Sequence, residues 1–411
     1  MNNIAFVLAC VFFLLPSYVV RFSFFGLPTT LLEIFLLVLV ASWAICHRKH
    51  TAEIKKFFVS EWGKNKIFFV GAGAFLLASV ISVFVAPSRH AAFGLWRAYF
   101  LEPTLVAILF YYESSSRARF KLFLSALGLS ALVVSVIAVA QVVLKIGLVA
   151  PWNGVDQPIR ATSIFPFPNA IGLYVAPIAT LFSVMFLQKI FSKSANTSKK
   201  ELFFACVVAI FGFAAIFLAK SRGAIMGAVV ALVIVGLWSA WRWRVLGTVF
   251  FVVALIFLLP QTRIEALHLL AFKDVSADVR LVLWQGTLRM IQAHPFFGAG
   301  LSGFPVLYPL FKEARHVEIL QYPHNIVLNF WVETGLLGLI SFCVLVWQFF
   351  ARIWRMSARD EFRAPLAAAM ITLLVHGLVD VPYFKNDLAI LWWIVVLSPF
   401  VIRRFSEKLT K

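Results

Sequence analysis

Apolar runs close to the length that crosses a hydrocarbon core recur from one end of this 411-residue chain to the other. They fall near residues 4–20, 29–46, 67–85, 97–112, 122–143, 169–187, 201–219, 223–240, 246–260, 325–350, 365–383 and 388–402. The pattern predicts an all-α, polytopic integral membrane protein of about twelve transmembrane helices. With 62% hydrophobic and only 13% charged residues, the chain has too little polar surface to stay in solution. No long hydrophilic stretch is present to form a soluble domain, so residues 1–411 are expected to be a single transmembrane domain.

A net charge of +19 would suggest nucleic acid in a soluble protein. Here the basic residues lie mostly in short loops, where they set topology and meet anionic headgroups, and no nucleic-acid partner is expected. The segments 47–66, 113–121, 188–200, 241–245, 351–364 and 403–411 hold 23 of the 37 Lys and Arg. That bias places both termini in the cytoplasm and turns the loop 261–324 outward. Cys10, Cys46, Cys206 and Cys343 lie in or beside apolar runs without metal or disulfide spacing, and read as packing residues. The start, Met1-Asn2-Asn3, lacks a basic n-region and a cleavage site before Pro16, which predicts a retained first helix.

The outward loop 261–324 is the one segment long enough for structure of its own. Within it, 277–293 reads as an amphipathic helix, with Leu281, Trp284, Leu288 and Ile291 at helical spacing and Pro295 ending it. The other notable outward loop, 144–168, contains four prolines and no apolar period. The inward stretch 192–200 reads as a solvated linker.

His324 stands just before the apolar run 325–350, which opens on Asn325, so His324 is expected near a helix N-terminus at the outer face. The positive dipole end disfavours imidazolium there, and a neutral ring can take a proton from a sugar hydroxyl. Spacing alone favours a plainer histidine that only hydrogen-bonds locally. Between two spans lies Lys220-Ser221-Arg222-Gly223, costly at a tight turn unless it meets headgroups, water or an anion. The planar fork of Arg222 suits a diphosphate, and Gly223 permits close approach; a snorkelling arginine fits equally well. Arg280 opens the outward helix, while Arg160 and Asn169 flank the proline-rich loop. Each is weak alone, but all fall on the face disfavoured for cations, and a lipid diphosphate would explain the cluster.

His376 and Asp380 are spaced i, i+4 and are expected to bond as a structural pair. Glu333 and Glu102 are further intramembrane carboxylates with supporting roles, Glu333 lying too far along the helix to reach His324. Gly298-Ala299-Gly300-Leu301-Ser302-Gly303 spells G-x-G-x-x-G, but it follows a helix rather than a strand and has no βαβ unit around it. It reads as a glycine-rich turn. Walker A, zinc-spaced and G-x-S-x-G patterns are absent.

Taken in order, these residues resemble the O-antigen ligase/polymerase superfamily of membrane glycosyltransferases. The ligase signature H-[NSQ]-x9-G-x2-[GTY] is met by His324, Asn325, Gly335 and Gly338. Around it stand R-A-T…F-P-N at Arg160–Asn169, S-R-G-A at Ser221–Ala224, R-x3-W at Arg280–Trp284 and H-P-x2-G-x-G at His294–Gly300. The resemblance covers roughly residues 90–385. It implies a transfer without metal, ATP or other cofactor, outside the bacterial inner membrane, from an undecaprenyl-diphosphate-linked glycan. By the same resemblance His324 serves the acceptor hydroxyl, and Arg222 and Arg280, with Arg160, hold the diphosphate; Asn169, Asn325, Glu333, His376 and Asp380 support them. The acceptor stays open among a lipid A–core sugar, a second lipid-linked glycan and a protein hydroxyl. A polytopic transporter using Glu333, His376 and Asp380 at mid-membrane is the principal alternative class, and a scaffold within a polysaccharide assembly complex is a third.

Overall fold

The computed structural model describes residues 3–24, 27–155, 157–191, 198–239, 242–248, 275–313 and 320–409. Thirteen helices of these residues carry the argument. They are α1 (Asn3–Phe13), α2 (Leu31–His47), α3 (Thr51–Lys64), α4 (Lys66–Val85) and α5 (Arg89–Glu113). Next come α6 (Arg117–Leu144), α7 (Pro168–Phe191), α8 (Lys199–Leu218), α9 (Arg222–Leu237) and α10 (Val275–Ala293). Last are α11 (Ile326–Arg355), α12 (Arg363–Gly377) and α13 (Asn386–Leu409). A small antiparallel pair, Arg21–Phe24 with Leu27–Thr30, has Arg21 opposite Thr30.

Among the described residues, seven helices are long and apolar enough to cross a membrane: α4, α5, α6, α7, α8, α11 and α13. The pair α2 and α3, bent by 108°, supplies an eighth candidate, and α1, α9 and α12 are apolar but shorter. These eleven stand where eleven of the twelve expected spans were placed. The expected span 246–260 lies outside the described residues from 249 onward, as do 261–274 and 314–319 of the outward loop.

Local chemistry sets the helix starts. Thr30 and Glu33 form a reciprocal capping box at α2, and Ser88 and Ser116 cap α5 and α6 through their hydroxyls. Between membrane helices, small residues let backbones approach. Gly212 of α8 lies against Ala179 of α7, and Gly227 of α9 against the Thr372 carbonyl of α12. α7 and α13 are almost wholly enclosed by their neighbours, whereas α8 and α11 leave most of their apolar surface outward.

α10 forms as expected but buries a different stripe. Leu283, Thr287, Met290 and Ile291 are buried, while Leu281 and Leu288 are exposed and Trp284 is half-buried. The reason is what the helix packs on: Leu283, Met290 and Ile291 close over Phe304, Tyr308 and Val332.

α11 is broken. Gly335 has φ 70° and ψ −177° inside it, a conformation open to glycine and strained for other residues. The segment that follows α10 fills the break: Leu336 N–H donates to Phe296 O (2.9 Å), Ala299 N–H to Val332 O (2.7 Å), and the Trp331 indole to Pro295 O (2.7 Å). Gly298 and Gly300, both at positive φ, bring this turn against the backbone of Val332 and Ala86. The glycine-rich turn is therefore a plug for an opened helix, and it satisfies backbone groups that the break releases.

A Cβ at residue 335 would collide with the Phe296 carbonyl and stand 2.9 Å from the Phe297 Cα. Gly335→Ala is expected to destabilise the detergent-solubilised protein by about 1–3 kcal/mol, read as a lowered Tm. Gly73→Ala, where a Cβ meets nothing within 4 Å, is the control and should leave Tm unchanged or slightly raised.

Candidate functional site

Two short helices meet at the site. α9 has 16 residues and α12 has 15, about 24 and 22 Å at 1.5 Å per residue, against a hydrocarbon core of about 30 Å. They pack on each other so that Gly223, at the start of α9, faces His376, near the end of α12; a Cβ on Gly223 would lie 2.7 Å from the His376 ring. At its own end, α12 must hand its last carbonyls to some donor. Two flanking carbonyls, those of Leu378 and Val379, are taken by side chains from other segments. Asn325 Nδ2 donates to Leu378 O (3.0 Å), and Arg280 Nε donates to Val379 O (3.1 Å).

Asp380, one residue further, is 2% exposed. Its Oδ1 lies 3.3 Å from His324 Nδ1 and accepts from the Val381 amide at 2.9 Å. The expected bond between Asp380 and His376 does not form; the two are linked by the backbone, Asp380 N–H to His376 O (3.0 Å). The helix ends at Gly377, before it can bring both side chains to one face, and the freed chain aims Asp380 at His324.

His324 itself has φ 48°, in the left-handed region. Asn325 follows as the N-cap of α11, its Oδ1 accepting from Val327 N–H (3.0 Å) and Leu328 N–H (3.1 Å). The helix N-terminus expected near His324 is present, with Asn325 as its cap. Trp284 of α10 donates its indole N–H to Pro323 O (2.9 Å), so the R-x3-W pair uses one turn of α10 to tie two points of the site: Arg280 at Val379 and Trp284 beside His324. The Tyr322 ring packs on the imidazole with centroids 4.5 Å apart. Burial and the nearby Asp380 carboxylate push the Tyr322 phenol well above its usual range, so it stays a neutral hydroxyl.

The remaining cations gather at the end of α8. Arg160 Nε donates to Ala219 O (2.9 Å), and its Nη2 donates to Asn169 Oδ1 (3.0 Å) and Lys220 O (3.5 Å). Burial and then the charge of Arg222 lower the Arg160 guanidinium from its ordinary value, which places the two arginines within electrostatic reach of each other. Such a pair of like charges is stabilised by an anion between them.

Of the residues expected at the site, Arg160, Asn169 and Arg222 thus form one group, and Arg280, His324, Asn325, His376 and Asp380 another, joined through the Gly223–His376 contact. Glu333 stands apart. Its Oε2 accepts from Ser302 N–H (2.8 Å), so it fixes the glycine-rich plug rather than meeting His324. Glu102 pairs with Arg97 at 3.5 Å. Tyr322 was not singled out by sequence; an aromatic two residues before the histidine was its only signal. Among the described residues no cluster of three or more His, Cys, Asp or Glu is arranged to hold a metal.

Residues 207–343 match the family model described as O-antigen ligase. Two proteins provisionally named polysaccharide ligases, from Rickettsia conorii and Rickettsia felis, are 26% and 25% identical to this chain over 130 residues. In each case the match covers 29% of this chain and 29% of the relative. The matched family region contains Arg222, Arg280, His324, Asn325, Gly335 and Gly338 and stops short of His376 and Asp380.

Asn325→Ala removes the cap of α11 and the tie to Leu378 O together. It is expected to cost about 1 kcal/mol in stability and to speed hydrogen exchange at the Val327 and Leu328 amides while leaving the amides beyond Gly335 unchanged.

Proposed function

We propose that this chain, a member of the O-antigen ligase superfamily through residues 207–343, transfers a glycan from undecaprenyl diphosphate to an acceptor hydroxyl at the outer face of the bacterial inner membrane. The observation that carries the reading is the convergence on one short turn, Leu378–Asp380, of a histidine and an arginine from separate outward segments. A base and cations held together suit a displacement at an anomeric carbon.

With Nδ1–H donated to the Asp380 carboxylate, His324 presents Nε2 as the proton acceptor. The acceptor hydroxyl gives its proton to Nε2 as its oxygen bonds to the anomeric carbon. The bond from that carbon to the diphosphate oxygen breaks, and the negative charge left on undecaprenyl diphosphate is met by Arg222, with Arg160 and Arg280 beside it. The lipid diphosphate is already an activated leaving group, so neither ATP nor a metal is needed in this scheme. Asp380 keeps the ring in the required tautomer and supports the imidazolium that forms.

Orientation rests on the cation bias of the loops, to which the following side chains belong. Arg352 near the far end of α11 donates to Asn65 Oδ1 (2.7 Å), Arg403 to Glu407 Oε1 (2.5 Å), and Arg404 to the Tyr111 carbonyl. This basic girdle lies at the end of the bundle opposite His324, as the cytoplasmic face of an inner-membrane protein would. Lipid A–core sugar, a second lipid-linked glycan and protein hydroxyls are the acceptor classes in scope; the H-N-x9-G-x2-G match favours the ligase type, with membrane lipid as the surrounding solvent.

The test is release of undecaprenyl diphosphate from a lipid-linked glycan by the purified protein, with candidate acceptors and with EDTA present. Release should require an acceptor, and both His324→Ala and Arg222→Ala should lower it by about 100-fold or more with Tm unchanged. Full activity in His324→Ala would overturn the role given to the histidine, and substrate flux across liposomes without any release would replace this reading with the transporter.

A further inference from the structure

A cavity of about 830 Å³ lies beside His324, within the range of about 300–1,000 Å³ that small-molecule sites occupy. It is walled by pieces of the N-terminal hairpin, α5, the proline-rich loop, the glycine-rich plug, α11 and the start of α13. Tyr322 lines it and also packs on the His324 ring, so one side chain separates the cavity from the base. None of Arg160, Arg222 and Arg280 lines it. The cavity is thus distinct from the cations assigned to the diphosphate.

Its chemistry is mixed. Asn329 lines the cavity, is 1% exposed, and its Oδ1 has no hydrogen-bond partner. An amide oxygen buried without a partner costs about 1–3 kcal/mol, and a ligand donor such as a hydroxyl would supply what is missing. Tyr99 and Phe384 add aromatic faces. Tyr99 sits on a π turn, Arg97–Leu101, whose Tyr99 carbonyl is taken by the Tyr383 hydroxyl (2.9 Å). Turns of that kind re-aim side chains at functional positions. Hydroxyl-accepting amides beside aromatic faces match a sugar ring, which is polar at its edge and apolar on its face. Two cations and one carboxylate complete the wall, and the carboxylate, Glu333, is engaged by the Ser302 amide. Arg21 is exposed and Lys385 half-buried, and neither forms an ion pair within 4 Å among the described residues. A neutral sugar would leave the exposed Arg21 without an anionic partner among the described residues.

We propose that this cavity is a saccharide subsite separate from the diphosphate site, taking an acceptor sugar that carries an anionic substituent, with Asn329 receiving a sugar hydroxyl and Arg21 and Lys385 the anion. Its position beside the base, rather than beside the cations, is what assigns it to the acceptor; that assignment rests on the transfer proposed above, whereas binding itself does not.

Calorimetric titration of the purified full chain tests it. The probes are a panel of hexose, heptose and hexuronate oligosaccharides, each with and without a phosphate monoester, and inorganic phosphate alone. The proteins are wild type, Asn329→Ala, the double variant Arg21→Gln/Lys385→Gln, and Arg222→Ala, each checked for unchanged Tm; Asn329→Ser, which keeps a polar atom, stands in if Asn329→Ala melts early. An anionic oligosaccharide should bind wild type and Arg222→Ala alike. Binding should weaken at least 10-fold on removing the anion, in the Arg21/Lys385 variant, and in the Asn329 variant. No binding by any member of the panel, equal affinity across the variants, or inorganic phosphate binding as tightly as the sugar would each overturn the subsite. A His324-dependent transfer that persisted alongside such a result would leave the proposed function standing; anionic-sugar binding with a fully active His324→Ala would do the reverse.

Discussion

Inside a membrane a helix that stops early must still find donors for its last carbonyls, because no bulk water is there to supply them. That constraint organises this protein. α12 stops after 15 residues, and the carbonyls just past its end are held by Asn325 and Arg280. At the end of α8 the carbonyls of Ala219 and Lys220 are held by Arg160. Cations are favoured at helix C-termini, where the dipole is negative. The arginines of the site are therefore oriented along one edge by the scaffold, so less of their rotamer freedom has to be lost when a ligand arrives.

The second organising feature is the opened helix α11. Its first half carries Asn325 and Asn329, its second half runs on to the basic girdle at the opposite face, and Gly335 separates them. The plug between His294 and Gly303 closes the gap, with Glu333 holding the plug at Ser302. A rigid plug makes the direction of the first half-helix independent of the long span below it. His324 is thereby positioned from three sides: the cap of α11, the Trp284 tie to Pro323, and Asp380.

Much of this was legible in the sequence. The runs of apolar residues gave the helical class, and eleven of the twelve expected spans lie on helices of the described residues. His324, Arg222, Arg280 and Arg160 were singled out because their chemistry and their ordered motifs coincided. What sequence could not give was pairing across space. Asp380 was assigned to His376 by i, i+4 spacing, a rule that holds only while the helix continues, and it ends at Gly377. The stripe of α10 was misread because spacing does not say what a helix packs on: Leu283 and Met290 meet Phe304, Tyr308 and Val332, and Leu281 and Leu288 are left exposed. The glycine pattern Gly298–Gly303 was separated from nucleotide binding, yet nothing in its spelling says that Phe296 and Ala299 fill the break at Gly335. The cavity beside Tyr322 draws on six separate segments and has no linear trace.

The central claim is that Asp380 acts through His324 at a base-and-cation site. A double-mutant cycle in the transfer rate tests it most directly, comparing His324→Ala, Asp380→Asn and the double variant. If Asp380 serves only to orient and support the imidazole, removing it from a protein that already lacks the ring should cost almost nothing, and the double variant should match His324→Ala. Losses that multiply, with the double variant slower than either single one by the product of their effects, would show that the two residues act independently and would contradict the account.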